Sequence, residues 1–186
     1  MPLILILILL ALVTESFATT WYSAAIHAKL KEKTPVKLPV ALAFVKAMVI
    51  ALGIFIGNVS SSALPWIYIV IAYVLMFIIG IKVIIENMRF LPEERIVLID
   101  SNKTLLILSI AGSFNSFFVA LSLGLIGTSV LMPSLITFIL TFIAAYISIY
   151  LGSKYGLRPF LRITVMVGGA LIAGVALRFF ITYFLN

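Results

Sequence analysis

The sequence predicts an all-α, polytopic membrane protein of six transmembrane helices, arranged as two inverted three-helix repeats, and three observations carry that prediction. First, 64% of the 186 residues are hydrophobic and only 10% are charged, with a mean hydropathy of +1.30. A soluble domain holds roughly 45–50% apolar and about 25% charged residues, so this surplus has no water-free core large enough to take it and must face lipid. Second, six apolar stretches, residues 3–22, 40–57, 66–85, 105–126, 131–151 and 163–184, are each long enough to cross a hydrocarbon core of about 30 Å as a helix. Third, the basic residues alternate between loops. Loop one carries Lys29, Lys31, Lys33 and Lys37, the central segment Lys82, Arg89, Arg95 and Lys103, and loop five Lys154, Arg158 and Arg162, whereas 58–65 and 127–131 have none. The positive-inside rule makes the odd loops cytoplasmic and both termini external.

Within the first stretch an apolar run is followed by Ser16-Phe17-Ala18, a small-x-small pattern like a leader cleavage site. A leader opens with a basic segment, and the first basic residue here is Lys29, so the stretch reads as a retained span. The later stretches are punctuated by Pro35, Pro39, Pro65, Pro92, Pro133 and Pro159, which fall between spans or at their edges, where a missing amide hydrogen costs least. Chain 1–186 is thus one transmembrane domain, with repeat one at about 1–95 and repeat two at about 103–186. The net charge of +7 belongs to topology and anionic lipid rather than to nucleic acid.

The repeat is visible where Glu15-Ser16-Phe17 lies opposite Asn115-Ser116-Phe117, and Gly57 opposite Gly152. Three helices per half is an odd number, so the second half enters the membrane upside down. Inverted repeats of this kind mark secondary transporters, whose substrate site lies at the midplane between the halves.

Three formally charged side chains read as lying well inside spans: Glu15, Lys46 and Arg178. A charge at the bilayer centre costs about 2.5–3.5 kcal/mol on insertion scales, so it is usually paired, inward-facing and functional. Arg178, near the external end, reads as a snorkelling anchor. Asn115 pairs with Glu15 under the pseudo-symmetry. Thr141 pairs with Lys46, since each stands at the same distance before its glycine, Gly152 or Gly57. Glu15, Lys46, Asn115 and Thr141 are therefore expected to meet at one depth as a substrate or ion site, with interhelical hydrogen bonding of about 0.6 kcal/mol each as the plainer role.

Ala111, Gly112, Ser113 and Ser116, and Gly168, Gly169, Ala170, Ala173 and Gly174, read as close-packing positions. Trp21, Tyr22, Trp66 and Tyr183 read as interfacial aromatics. The absence of Cys excludes disulfides, zinc-thiolate sites and iron–sulfur clusters. His27, the only histidine, reads as a solvated residue among loop lysines. One histidine supports neither an HExxH metalloprotease nor a Ser-His-Asp set, so the chain reads as no enzyme.

With these residues placed, the chain resembles the manganese efflux pump (MntP) family of the lysine-exporter (LysE) superfamily along essentially its whole length. The matching stretches are Leu12-Val-Thr-Glu-Ser-Phe-Ala18, 66–86 with Gly80-Ile-Lys82, Ala120-Leu-Ser-Leu-Gly124, and Gly168-Gly169 with Gly174. The resemblance implies a bacterial inner-membrane exporter that works by alternating access, with Mn2+ as substrate, no resident cofactor, and the lipid bilayer and a small cation as partners. It also implies Glu15 and Asn115 as metal ligands. Where this chain has Glu15, Asn115 and Lys46, the family typically has Asp, Asp, and Glu or Gln. Hard divalent cations favour carboxylate, carbonyl and water oxygens, and a lysine at that depth cancels charge that relatives concentrate. Two further readings follow from the residues: an exporter of another small solute, and a non-transporting membrane protein with a structural Glu15–Lys46 salt bridge.

Overall fold

The computed structural model describes residues 2–31, 37–63, 67–89 and 102–185. Among the described residues the regular structure is all helical: α1 (Pro2–Lys29), α2 (Lys37–Ala63), α3 (Tyr68–Arg89), α4 (Asn102–Ala111), α5 (Phe114–Leu125), α6 (Leu131–Tyr155) and α7 (Phe160–Leu185). Among the described residues five helices are long and apolar enough to span a bilayer, and α4 with α5, bent by 47° at a short break, meets the same length and composition as a pair, as a broken span or a re-entrant loop does. Lys33, Arg95, Trp66, Pro35, Pro65 and Pro92 lie outside the described residues.

The faces of these helices are inverted relative to a soluble protein. On α6, Leu135, Ile139, Tyr146 and Tyr150 point outward, while Thr137, Thr141, Ala145, Ser148 and Gly152 are buried. Lipid solvates the large apolar side chains, so hydroxyls and small residues line the helix contacts, where backbones approach closely.

The packing repeats itself. Helix α1 packs on α6 and α7, α5 on α2 and α3, α2 on α6, and α3 on α7. Exchanging α1 with α4–α5, α2 with α6, and α3 with α7 returns these pairs, whereas the slight α1–α2 contact has no counterpart of equal extent between α6 and α4–α5. The correspondence holds to single residues. A Cβ at Gly57 would fall against the Leu121 carbonyl and within 2.7 Å of Leu125 N, and one at Gly152 would lie 2.6 Å from the Trp21 carbonyl. A Cβ at Gly53 would lie 2.7 Å from the Phe117 carbonyl, while its counterpart Ser148 donates its hydroxyl to the Phe17 carbonyl.

Several expectations change here. The fourth span is not one helix: at Gly112–Ser113 the backbone tightens, with Ser113 N bonding to Ile110 O at 3.0 Å. The Ser113 hydroxyl donates to Ser109 O at 2.7 Å, and such back-bonding at a Gly-Ser pair bends helices. His27 is buried rather than solvated. Helix α1 runs on to Lys29 and so carries the ring inside the bundle, where Nδ1 lies 2.8 Å from Ser23 O. Trp21 is also buried, and it ties α1 to the end of α6 by donating Nε1–H to Gly156 O at 2.7 Å. Of the small residues, Ala111, Ala170 and Gly174 face outward, and a Cβ at Gly174 would meet nothing within 4 Å. Arg178 is exposed, as a snorkelling side chain is.

Candidate midplane polar site

Glu15 stands halfway along α1 and Asn115 at the second residue of α5, just beyond the break. The break turns α5 so that the Asn115 amide Nδ2 donates to Glu15 Oε1 at 2.9 Å. The other end of the same amide, Oδ1, accepts from Lys82 Nζ at 2.8 Å. Only this orientation of the amide gives both neighbours a matching group, because a carboxylate accepts and an ammonium donates. Lys82 Nζ also lies 3.2 Å from Glu86 Oε1, one turn along α3, and 5.5 Å from the centre of the Phe114 ring. A polar chain therefore runs from Glu86 through Lys82 and Asn115 to Glu15.

Lys46 is fully buried. Its Nζ donates to the Leu12 carbonyl and to Ser16 Oγ at 2.9 Å, so the ammonium docks on α1 beside Glu15, whose carboxylate acts on it electrostatically. Lys46 thus acts on the Glu15 carboxylate directly, while Lys82 reaches it only through the Asn115 amide and pairs with Glu86; such pairing offsets part of the insertion cost each charge would bear alone. Thr141 is buried on α6, but its Oγ1 has no hydrogen-bond partner among the described residues, and the same holds for Thr137 Oγ1 and Ser116 Oγ. Of the four residues expected to meet, then, hydrogen bonds join Glu15 to Asn115, Lys46 binds the turns of α1 on either side of Glu15, and Thr141 stays apart from that network.

Lys82, which the sequence groups with the basic residues of the central segment, lies inside α3 and reaches the site. The signal was available: Val83, Ile84 and Ile85 continue the apolar run beyond it, and Glu86 follows at the i+4 spacing of a helical ion pair. Among the described residues no three His, Cys, Asp or Glu side chains come together. A cation at this site would therefore rely on one carboxylate, the Asn115 carbonyl, hydroxyls and backbone oxygens, a donor set suited to hard ions.

An apolar cavity of about 300 Å³ lies beyond the site, lined by Leu5, Tyr73, Leu123, Ile126, Thr128 and Phe179 among others. The rings of Tyr73 and Phe179 stack in its wall with centroids 5.7 Å apart.

No solved structure matches the chain. Among curated proteins, one from Methanothermobacter thermautotrophicus named "Putative manganese efflux pump MntP" is 38% identical over 91 residues, covering 47% of this chain and 46% of that protein. The match thus spans about half the length of that relative. A family model described as "Putative manganese efflux pump" matches residues 29–180, a stretch that contains Lys46, Lys82, Asn115 and Thr141 and begins after Glu15. With most of its length matched by that model, the chain belongs to the MntP family.

Proposed function

We propose that the protein exports a divalent metal cation, with Mn2+ as the leading substrate, by alternating access between two inverted three-helix repeats at about 1–95 and 103–186. It acts as a transporter and not as an enzyme. It sits in the bacterial inner membrane with both termini external. The observation that carries this reading is the hydrogen bond between Glu15 and Asn115, equivalent residues of the two halves, at the break of the fourth span. Broken helices at the interface of inverted repeats are where transporters bind their ions.

The ion replaces an internal cation. Mn2+ arriving from the cytoplasmic side draws on the Glu15 carboxylate and the Asn115 carbonyl oxygen, and the Lys82 ammonium withdraws from that oxygen towards Glu86. Repulsion between a divalent ion and an ammonium at contact distance is several kcal/mol even at an effective dielectric constant of about 20, so Lys82 must swing away for the ion to bind. Its long flexible stem permits this. Lys46, fully buried, keeps the carboxylate partly neutralised when no metal is bound. Tyr73 and Phe179 then line the external exit.

One observation favours a second substrate class. Lys46 and Lys82 approach the site from two helices, and two ammonium groups form a donor set for the carboxylate of a zwitterionic solute. Cells of an Mn-sensitive strain separate the two readings: expression of the protein should restore growth in excess MnCl2 and lower cell Mn content. Failure to do so, with the protein present in the membrane, would leave the solute reading standing.

A further inference from the structure

We propose that the second repeat holds a binding site for a small, dehydrated monovalent cation, with Na+ as the probe, at Ser116 and Thr141, the pseudo-symmetric image of the pocket that holds the Lys46 ammonium. The inference rests on the repeat geometry and is independent of the transported substrate.

In the first repeat, Lys46 reaches from α2 to α1 and places a monovalent cation against the Leu12 carbonyl and Ser16 Oγ. The residue-level match between repeats, Gly57 with Gly152 and Gly53 with Ser148, carries Lys46 onto Thr141, Ser16 onto Ser116 and Leu12 onto Gly112. The same correspondence puts Thr141 on α6 and Ser116 on α5 in the places that Lys46 and Ser16 hold on α2 and α1. Threonine is shorter than lysine by most of its stem, so Thr141 cannot close the distance that Lys46 closes. The consequence is visible: Ser116 and Thr141 are both fully buried, and neither hydroxyl has a hydrogen-bond partner among the described residues. A buried hydroxyl without a partner costs about 1–3 kcal/mol, and this cost falls on both residues of the pair whose counterparts in the first repeat bind a cation.

The chemistry selects the ligand. Ser116 and Thr141 contribute neutral oxygens, and the helix breaks at Gly112–Ser113, opposite the Leu12 carbonyl of the first repeat. In transporters the unwound backbone carbonyls of broken helices coordinate monovalent cations, and the two hydroxyls add neutral oxygens to such a set. No carboxylate belongs to the pocket itself, so a divalent ion is poorly served. Charge of the right sign is nearby, because the residue preceding Ser116 is Asn115, which is bonded to the Glu15 carboxylate.

The test is thermal unfolding of the purified protein in detergent, with chelator present and no Mn2+, in NaCl, choline chloride and sodium gluconate at equal ionic strength. Both sodium salts should raise Tm over choline chloride by at least about 2 °C at saturation. Thr141→Val and Ser116→Ala should each remove the difference. Thr141→Lys should supply the cation covalently and unfold at the same high temperature in all three salts. The proposal is overturned if Na+ has no effect, if stabilisation follows chloride instead of sodium, or if both hydroxyl variants retain the full shift. If Thr141→Val does not fold, Ser116→Ala, which deletes a single oxygen, decides the matter.

Discussion

Replacing Lys46 with methionine separates a counter-ion from ordinary helix glue. Methionine nearly conserves the volume of the fully buried side chain, and such swaps cost under about 1.5 kcal/mol through shape alone. What disappears is the pair of hydrogen bonds to Leu12 O and Ser16 Oγ and the charge opposite Glu15. If these bonds are average membrane hydrogen bonds of about 0.6 kcal/mol each, the loss is near 1 kcal/mol. If the ammonium balances the Glu15 carboxylate, Lys46→Met strands a half-buried charge, and the loss rises to about 3 kcal/mol, the low end for breaking a buried pair. The geometry favours the larger figure, because the ammonium binds the turns of α1 on both sides of Glu15. Unfolding in mixed micelles measures it, and a double-mutant cycle assigns it: Glu15→Gln in the Lys46→Met background should recover most of the lost stability. A loss below about 1 kcal/mol without coupling to Glu15 would refute the counter-ion argument.

The remaining predictions address packing and topology. A Cβ at Gly57 or Gly152 meets the backbone of the facing helix, so Gly57→Val and Gly152→Val should each cost about 1–3 kcal/mol, whereas Gly174→Ala, facing open space, should leave unfolding unchanged. Trp21→Phe removes the bond to Gly156 O and should cost about 1 kcal/mol. The chain has no native cysteine, so single-cysteine labelling is free of background. In intact cells an impermeant reagent should label Leu185→Cys and not Ser153→Cys, and the opposite pattern would reverse the orientation. Lys46→Glu combined with Asn115→Asp restores family-like acids and should give more Mn2+ tolerance than the natural sequence.

The spans were legible because lipid imposes a length and an apolar composition that few soluble elements share, and the repeat was legible because Glu15-Ser16-Phe17 and Asn115-Ser116-Phe117 retain one spacing. That spacing also anticipated the Glu15–Asn115 contact. The break of the fourth span was not foreseen: Gly112 reads equally well as a packing glycine, and only the back-bonded Ser113 hydroxyl turns the pair into a bend. Lys82 was counted with the loop because a positive charge near a span end satisfies the positive-inside rule whether it points to water or to the site. The burial of His27 has a related origin. Apolar length marks where a span could end, but α1 continues beyond that point because the bundle buries its last turns.

The most direct test of the account is Mn2+ flux in proteoliposomes, read with a Mn2+-sensitive dye, for the natural protein and for Glu15→Gln. Glutamine retains the carbonyl oxygen that accepts from Asn115 Nδ2 and removes only the charge. The account predicts Mn2+ flux by the natural protein and a loss of at least about tenfold, or about 1.4 kcal/mol of binding or barrier, in Glu15→Gln, with its unfolding profile still cooperative. Flux that persists unchanged in Glu15→Gln would contradict the assignment of Glu15 to the ion.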